Sequence, residues 1–203
     1  STAVQTPEAT PTPMARSQPT ESIALPMTGP AAAERLLGSY VRADQIGRWC
    51  DEFQEYGVRF IWLPAPWNAV EPQPGRFRWQ RADQVIQIAH SCGLDIGLHI
   101  LARSSWATEP PPTDGGRLRA PPSMPPKNMD DYYNFVHNLA SRYKGMVTRY
   151  SIENEAHATA NWASSPESYF DLLATAHRAV KDVDPDALVQ NSGLSSSAVG
   201  ALI

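Results

Sequence analysis

The chain is organised as a regular alternation of short β-branched runs and longer amphipathic segments, which begins near residue 33 and continues to residue 193. The amphipathic segments place apolar residues three and four positions apart, as on one face of a helix, and most of them stop at a glycine or a proline. Strand–helix repeats of this length predict parallel strands joined by right-handed helical crossovers. The predicted strands are 36–41, 58–65, 94–101, 146–154 and 187–193, and the predicted helices are 46–57, 79–93, 130–143 and 165–184.

Two α/β architectures fit this pattern, a doubly wound sheet and a (β/α)8 TIM barrel. No glycine-rich phosphate loop follows any predicted strand, which argues against the nucleotide-binding doubly wound sheet. In a barrel, functional groups come from the carboxyl ends of several strands. Polar and aromatic residues do gather at those ends, which favours the barrel: Trp67-Asn68, His99, Ser104-Ser105-Trp106 and Asn154-Glu155.

The length of the periodic part limits how much of a barrel is present. A complete barrel needs about 250 residues, whereas residues 33–203 offer five predicted strands. We therefore expect residues 33–203 to be the N-terminal portion of a barrel, about the first five βα units. Residues 1–32 are rich in proline and threonine and lack aromatic residues, so we expect a disordered tail or linker there.

Composition excludes several classes of partner. A net charge of −4 gives no electrostatic reason to expect nucleic acid, and no apolar run approaches the length of a membrane span. Cys50 and Cys92 lack the spacing of a metal site and fall in predicted helices, where they are interpreted as small buried hydrophobes, with a disulfide left open. No metal or cofactor is indicated. The Pro/Thr-rich tether is typical of exported proteins and favours an extracellular or periplasmic location, while the oligomeric state stays open.

The segment Glu153-Asn154-Glu155 raises the possibility of carboxylate chemistry. Hydrolysis of a glycoside by the common mechanism needs two carboxyl groups on either side of the anomeric carbon. On a strand, Glu153 and Glu155 would face the same side, roughly 6.6 Å apart by the rise per residue. Two parallel side chains approach a sugar from one direction, so we expect at most one of them to be catalytic, with its partner on another strand.

Two stretches of the chain resemble clan A glycoside hydrolases, in particular families 39, 42 and 5. Residues 57–100 resemble their second and third βα units, with Glu71-Pro72 and Pro74-Gly75 after a tryptophan. Residues 143–193, which contain RYSIENEA, resemble the region of their fourth strand. The resemblance covers about residues 34–200 and implies a retaining hydrolase that acts on a β-linked saccharide.

The resemblance also implies roles for individual residues. Glu155 would be the general acid/base, and Asn154 would hydrogen-bond the 2-hydroxyl of the sugar being cleaved. The nucleophile would be a glutamate at the end of the seventh strand, beyond Ile203, so the chain alone should not hydrolyse a glycoside.

Four further residues are candidates for substrate binding. Trp67 and Trp106 offer flat apolar rings for stacking on a sugar, with core packing as the alternative. His99 and His157 offer hydrogen bonds to sugar hydroxyls, with a structural role at the barrel rim as the alternative. The oligo- or polysaccharide is the only partner that these residues indicate.

The sequence departs from the family pattern at three positions. Ala156 replaces the usual proline, Glu153 stands where an aromatic residue is frequent, and Trp62 stands near the position of an arginine. These departures motivate an alternative, a carbohydrate-binding barrel that does not hydrolyse its ligand. An unrelated α/β binding domain with an accidental motif match is a third hypothesis. We interpret Glu153 as structural, with Arg59 or Arg149 as its expected partner.

Overall fold

A computed structural model of the protein describes residues 37–40, 45–112 and 121–193, and only the backbone of the first of these ranges. The chain divides into two units, Ser1–Arg35 and Leu36–Ile203, and all the described residues belong to the second. The predicted tail at residues 1–32 lies outside the described residues and stays a prediction.

The described part is built on one sheet of five parallel strands in the order β1-β2-β3-β4-β5, so each strand pairs with its neighbours in sequence. This order arises when every crossover runs in the same direction, as in a barrel. The sheet is not closed on itself, and it confirms the predicted incomplete barrel. The strands are β1 (Leu37–Tyr40), β2 (Val58–Pro66), β3 (Asp95–Leu101), β4 (Val147–Ile152) and β5 (Leu188–Gln190).

Helices connect the strands as the apolar spacing predicts. The Ser165 hydroxyl accepts a hydrogen bond from the Ser168 N–H at the start of the last helix, where Pro166 occupies the first turn. Gly57 and Gly93 adopt left-handed φ angles of 72° and 71° where two helices end. The elements are a 3-10 turn (Ile46–Arg48), α1 (Cys50–Glu55), α2 (Trp67–Val70), α3 (Gln80–Ser91), α4 (Met129–Tyr143) and α5 (Pro166–Val183). None of the helices in the described ranges is long and apolar enough to cross a lipid bilayer.

The hydrophobic core lies between the helices and the outer face of the sheet. Alternate residues of each central strand point to this face, among them Leu63 on β2 and Leu98 on β3, and they pack against helix residues such as Leu139 of α4. Full burial of one such side chain contributes about 1.5–3 kcal/mol. The helices are therefore held on one face of the sheet.

The inner face of the sheet carries aromatic and cationic side chains. Trp62, Gly97 and Arg149 lie side by side in register on β2, β3 and β4. A Cβ atom on Gly97 would lie 2.5 Å from the Trp62 ring and 2.7 Å from the Phe60 ring, so only glycine fits there. The Arg149 guanidinium lies 5.0 Å from the centre of the Phe60 ring, a cation–π contact. The expected pairing of Glu153 with Arg149 is thus replaced by an aromatic partner for the arginine.

Cys50 and Cys92 form a disulfide bond that links the start of α1 to the end of α3, with the two Cα atoms 5.3 Å apart. The interpretation of the two residues as unlinked buried hydrophobes was wrong, and the alternative of a disulfide is correct. Facing helix ends bring the two thiols together although 42 positions separate them.

Candidate active site

The loops that follow β2, β3, β4 and β5 meet at the carboxyl edge of the sheet. The Asn68 N–H donates to the Arg103 carbonyl at 2.8 Å, and the Ser105 hydroxyl donates to the Asn68 side chain at 3.1 Å. The Ala156 N–H donates to the Ser192 hydroxyl at 3.1 Å. The Ser123 N–H of the connection after β3 donates to the Asn161 carbonyl of the loop after β4 at 2.7 Å. Together these contacts join four successive loops into one rim, the edge at which barrel enzymes build their sites.

The segment Glu153-Asn154-Glu155 is a turn and not the end of a strand. β4 ends at Ile152, and both glutamates adopt left-handed backbone conformations, with φ angles of 61° at Glu153 and 45° at Glu155. Because the twofold alternation of a strand does not apply, the expectation that the two carboxyl groups share one face was wrong. Glu153 is 1% exposed, Glu155 is half-buried and Asn154 is exposed. The two carboxyl groups therefore occupy different environments.

Glu153 points into the protein beneath the rim. One carboxylate oxygen, Oε1, accepts the Ala102 N–H at the end of β3. Burial raises the pKa of Glu153 to about 7, and the Ala102 N–H, the Ser123 hydroxyl and the Arg103 charge offset part of this effect. The structural interpretation of Glu153 agrees with these contacts, but its partners come from the backbone of β3 and from the loop before α4.

Glu155 lies two residues further along the same turn and is more exposed than Glu153. Its Oε2 atom accepts a long hydrogen bond of 3.5 Å from the Asn161 side chain, and its carbonyl accepts the Ala158 N–H at 2.9 Å. The Asn161 carbonyl in turn accepts the Ser123 N–H at 2.7 Å. The loop 156–162 is thus anchored beside the carboxyl group of Glu155, and the catalytic roles of Glu155 and Asn154 stay predictions.

The two candidate stacking residues differ in exposure. Trp67 is fully buried, with its ring stacked on Phe135 at 5.2 Å and its Nε1–H donating to the Glu71 carboxylate at 2.7 Å. Trp106 is half-buried, donates its Nε1–H to the Glu71 carbonyl at 2.9 Å and packs edge-on against Trp67. Of the two residues, only Trp106 is partly exposed, as stacking on a sugar requires, whereas Trp67 packs in the core. Contact of either ring with substrate stays a prediction.

The two candidate histidines also lie in different settings. His99 is buried on the inner face of β3, and its Nε2–H donates to the Glu153 carbonyl at 2.8 Å. Burial lowers the pKa of His99, so its neutral form is favoured. His157 is exposed in the turn after Glu155. Their binding of hydroxyls stays a prediction, and within the described ranges no three His, Cys, Asp or Glu side chains gather to hold a metal ion.

Several buried polar side chains that the sequence did not mark as functional lie beside this turn on its interior side. Ser123 is fully buried beside Glu153, and the Tyr132 hydroxyl is also fully buried there. The Tyr169 hydroxyl donates to the Ile152 carbonyl at 3.1 Å and accepts the Ser192 N–H at 2.7 Å. Tyr132 and Tyr169 belong to helices, where their spacing indicates core packing, and nothing in the local pattern marks their hydroxyl groups.

The raised pKa of Glu153 predicts that stability falls as the pH rises from 4.5 to 7. The pKa of Glu153 is about 7 in the folded protein and 4.5 in an ordinary glutamate, so between these values the folded state holds a proton that the unfolded chain releases. The stabilising contribution is complete below pH 4.5 and is lost by pH 7, a loss of about 3 kcal/mol.

Urea unfolding of the parent protein and of Glu153→Gln, measured between pH 4 and pH 8, tests this dependence. Glutamine does not titrate, so the difference in unfolding free energy between the two proteins should change by that amount over this range. A difference that stays constant with pH would contradict the assignment.

Comparisons with known proteins identify the class of this chain. A family 39 β-xylosidase from Caulobacter crescentus superposes with a TM-score of 0.61 and 22% identity, over 80% of this chain and 40% of that one. A family 39 glycoside hydrolase from Bacteroides cellulosilyticus WH2 gives a TM-score of 0.59 and 16% identity, over 76% and 30% of the two chains. A psychrophilic family 10 endo-β-1,4-xylanase gives a TM-score of 0.54 and 21% identity, over 81% and 53%.

The fold is thus that of the clan A glycoside hydrolases, and the resemblance stated from the motifs is confirmed. The family model of glycosyl hydrolase family 10 matches residues 65–191, and the chain belongs to that family. The motifs had indicated families 39, 42 and 5 of the same clan; family 39 enzymes are among the similar structures, and the family model adds family 10. The chain spans between 30% and 53% of the length of these three solved structures.

Proposed function

We propose that the protein is a retaining glycoside hydrolase that acts on a β-linked saccharide, with Glu155 as its general acid/base. The observation that carries this proposal is the turn after β4, which presents Asn154 and half-buried Glu155 at the carboxyl edge of the sheet in a family 10 chain. In this role Glu155 protonates the leaving oxygen and then deprotonates the attacking water. Asn154 hydrogen-bonds the 2-hydroxyl of the sugar.

The proposed reaction needs a second carboxylate on the other side of the anomeric carbon. Glu153 does not supply it, because its side chain is directed into the protein and its Oε1 atom is engaged with Ala102. We propose, from the family resemblance, that the nucleophile is a glutamate on a later strand, outside residues 1–203. Trp106 is the preferred stacking residue, because its ring is partly open and Trp67 packs beneath it.

Xylo-oligosaccharides are the first substrates to test, because two of the similar solved structures are a β-xylosidase and an endo-β-1,4-xylanase. The full-length protein is incubated with xylohexaose, and the anomeric protons of the new reducing ends are followed by NMR. We expect the β-anomer to appear first and the α-anomer to follow by mutarotation. Initial release of the α-anomer would overturn the retaining mechanism.

A carbohydrate-binding barrel without hydrolysis is the second candidate. It is favoured by one observation, the bulky Trp62 ring over Gly97, on the inner face where the family resemblance places an arginine. This candidate predicts that xylohexaose binds, as measured by calorimetry, while no reducing ends form. Binding with cleavage excludes it.

A further inference from the structure

Glu153 attaches the turn that carries Glu155 to the end of the neighbouring strand. Its Oε1 atom accepts the Ala102 N–H, its own N–H donates to the Ile100 carbonyl at 2.9 Å, and its carbonyl accepts the His99 Nε2–H at 2.8 Å. Three hydrogen bonds from one residue thus connect this turn to β3 just past the point where β4 ends. Two of them use the backbone, and only the bond to Ala102 depends on the glutamate side chain.

The turn needs such an attachment because its backbone is unfavourable for the residues it contains. Left-handed conformations at Glu153 and Glu155 are unfavourable for a residue with a Cβ atom. Conformations of this kind persist where surrounding contacts determine them. On the far side of Glu155, the Ala156 N–H is bound by the Ser192 hydroxyl at 3.1 Å. Asn154 and Glu155 therefore lie between one attachment to β3 and another to the loop after β5.

The carboxyl group of Glu153 is surrounded by polar groups from three other parts of the chain. Ser123 of the loop before α4 and Arg103 of the loop after β3 lie beside it. Its Oε2 atom and the Tyr132 hydroxyl of α4 are buried, and neither makes a hydrogen bond with a residue that the structure describes. Tyr169 of α5 lies near the Tyr132 hydroxyl, and His99 of β3 binds the Glu153 carbonyl. A buried acceptor without a hydrogen-bond partner is destabilising, and an apolar residue would pack there at lower free-energy cost.

We propose that Glu153 is a positioning residue for the acid/base: its carboxyl oxygen holds the turn of Asn154 and Glu155 against β3 and so sets where the Glu155 carboxyl group meets the substrate. The proposal rests on the proposed function of Glu155. It assigns no proton transfer to Glu153, which is too deeply buried to touch a sugar. The essential feature is an acceptor oxygen at the Oε1 position, and the charge of the carboxylate is not required.

Three substitutions at this position in the full-length protein separate the acceptor from the charge. Glu153→Gln retains an oxygen for the Ala102 N–H, Glu153→Leu removes it at similar volume, and Glu153→Asp keeps the charge on a shorter side chain that falls short of Ala102. A displacement of about 1 Å at a reacting group lowers the rate by about 100-fold. We therefore expect Glu153→Leu to lose about 100-fold in kcat, Glu153→Asp about 10-fold, and Glu153→Gln less than about 5-fold, with KM unchanged within about 3-fold.

The controls distinguish a positioning role from a general loss of structure. Asp83→Asn changes another carboxylate to an amide, on α3 where Arg142 and Tyr143 bind it, and should leave kcat unchanged. Melting curves show whether Glu153→Leu folds. If that variant does not fold, the kcat of Glu153→Asp provides the test. Equal kcat for the parent, Leu and Asp variants would overturn the proposal, as would a Gln variant as slow as the Leu variant.

The failure of this proposal is distinguishable from the failure of the proposed function. If Glu155→Gln is inactive while Glu153→Leu and Glu153→Asp keep full kcat, only the positioning role is overturned. If Glu155→Gln keeps full activity, the role of Glu155 is wrong and the positioning role falls with it.

Discussion

A Glu155→Gln variant of the full-length protein is expected to lose roughly 1,000-fold in kcat on glycosides with poor leaving groups. Glutamine cannot donate a proton to the departing oxygen, so bond cleavage must produce an unprotonated sugar alkoxide. A 2,4-dinitrophenyl glycoside releases a stable anion that needs no proton. For that substrate the first step should be nearly unaffected, and slow hydrolysis of the glycosyl-enzyme intermediate should appear as a burst of dinitrophenol.

The comparison of the two leaving groups is the measurement that checks this role. Glu167→Gln is a matched control, because Glu167 is an exposed carboxylate in the first turn of α5 and should leave both rates unchanged. Equal losses in kcat/KM, which reports the first step, on both substrates would indicate that Glu155 acts in some way other than proton donation. No loss on either substrate would remove it from the mechanism.

The architecture could be predicted from sequence because the signals that define it are local. Apolar spacing sets each helix face, Gly57 and Gly93 end helices with left-handed backbone, and Ser165 begins α5 as its cap. Each of these features depends on a few adjacent residues. The short helix α2, from Trp67 to Val70, falls between the predicted strand 58–65 and the predicted helix 79–93, and it was missed because a single helical turn has no apolar period to detect.

The geometry of the candidate site could not be predicted to the same depth. The fourth predicted strand extended to Asn154. In the structure β4 ends at Ile152, and Glu153 and Glu155 then adopt left-handed backbone conformations. This change directs Glu153 inwards, where its neighbours are Ala102 and Ser123, which lie far away in sequence. Side-chain direction in a turn depends on such tertiary contacts, because the alternation of a strand no longer applies after β4 ends at Ile152.

The disulfide between Cys50 and Cys92 is expected to contribute about 4 kcal/mol to the free energy of unfolding. The bond closes a loop across 42 positions that contains α1, β2, α2 and α3. It restricts the unfolded chain more than the folded one, since the folded chain already holds α1 near the end of α3 through a hydrogen bond of 3.4 Å from Gln54 to the Cys92 carbonyl. For a unit of this size the melting temperature should fall by roughly 10 °C when the bond is absent.

Thermal unfolding of a Cys50→Ala, Cys92→Ala double variant tests the expectation, with both proteins produced in an oxidising compartment where disulfides persist. Alanine is preferred to serine because Cys92 is only 3% exposed, and a buried hydroxyl would add an unrelated cost. Reductant should lower the melting temperature of the parent to that of the double variant and leave the double variant unchanged. If the double variant and the oxidised parent have the same melting temperature, the bond contributes no net stability. If reductant lowers the melting temperature of both proteins equally, its effect does not come from this bond.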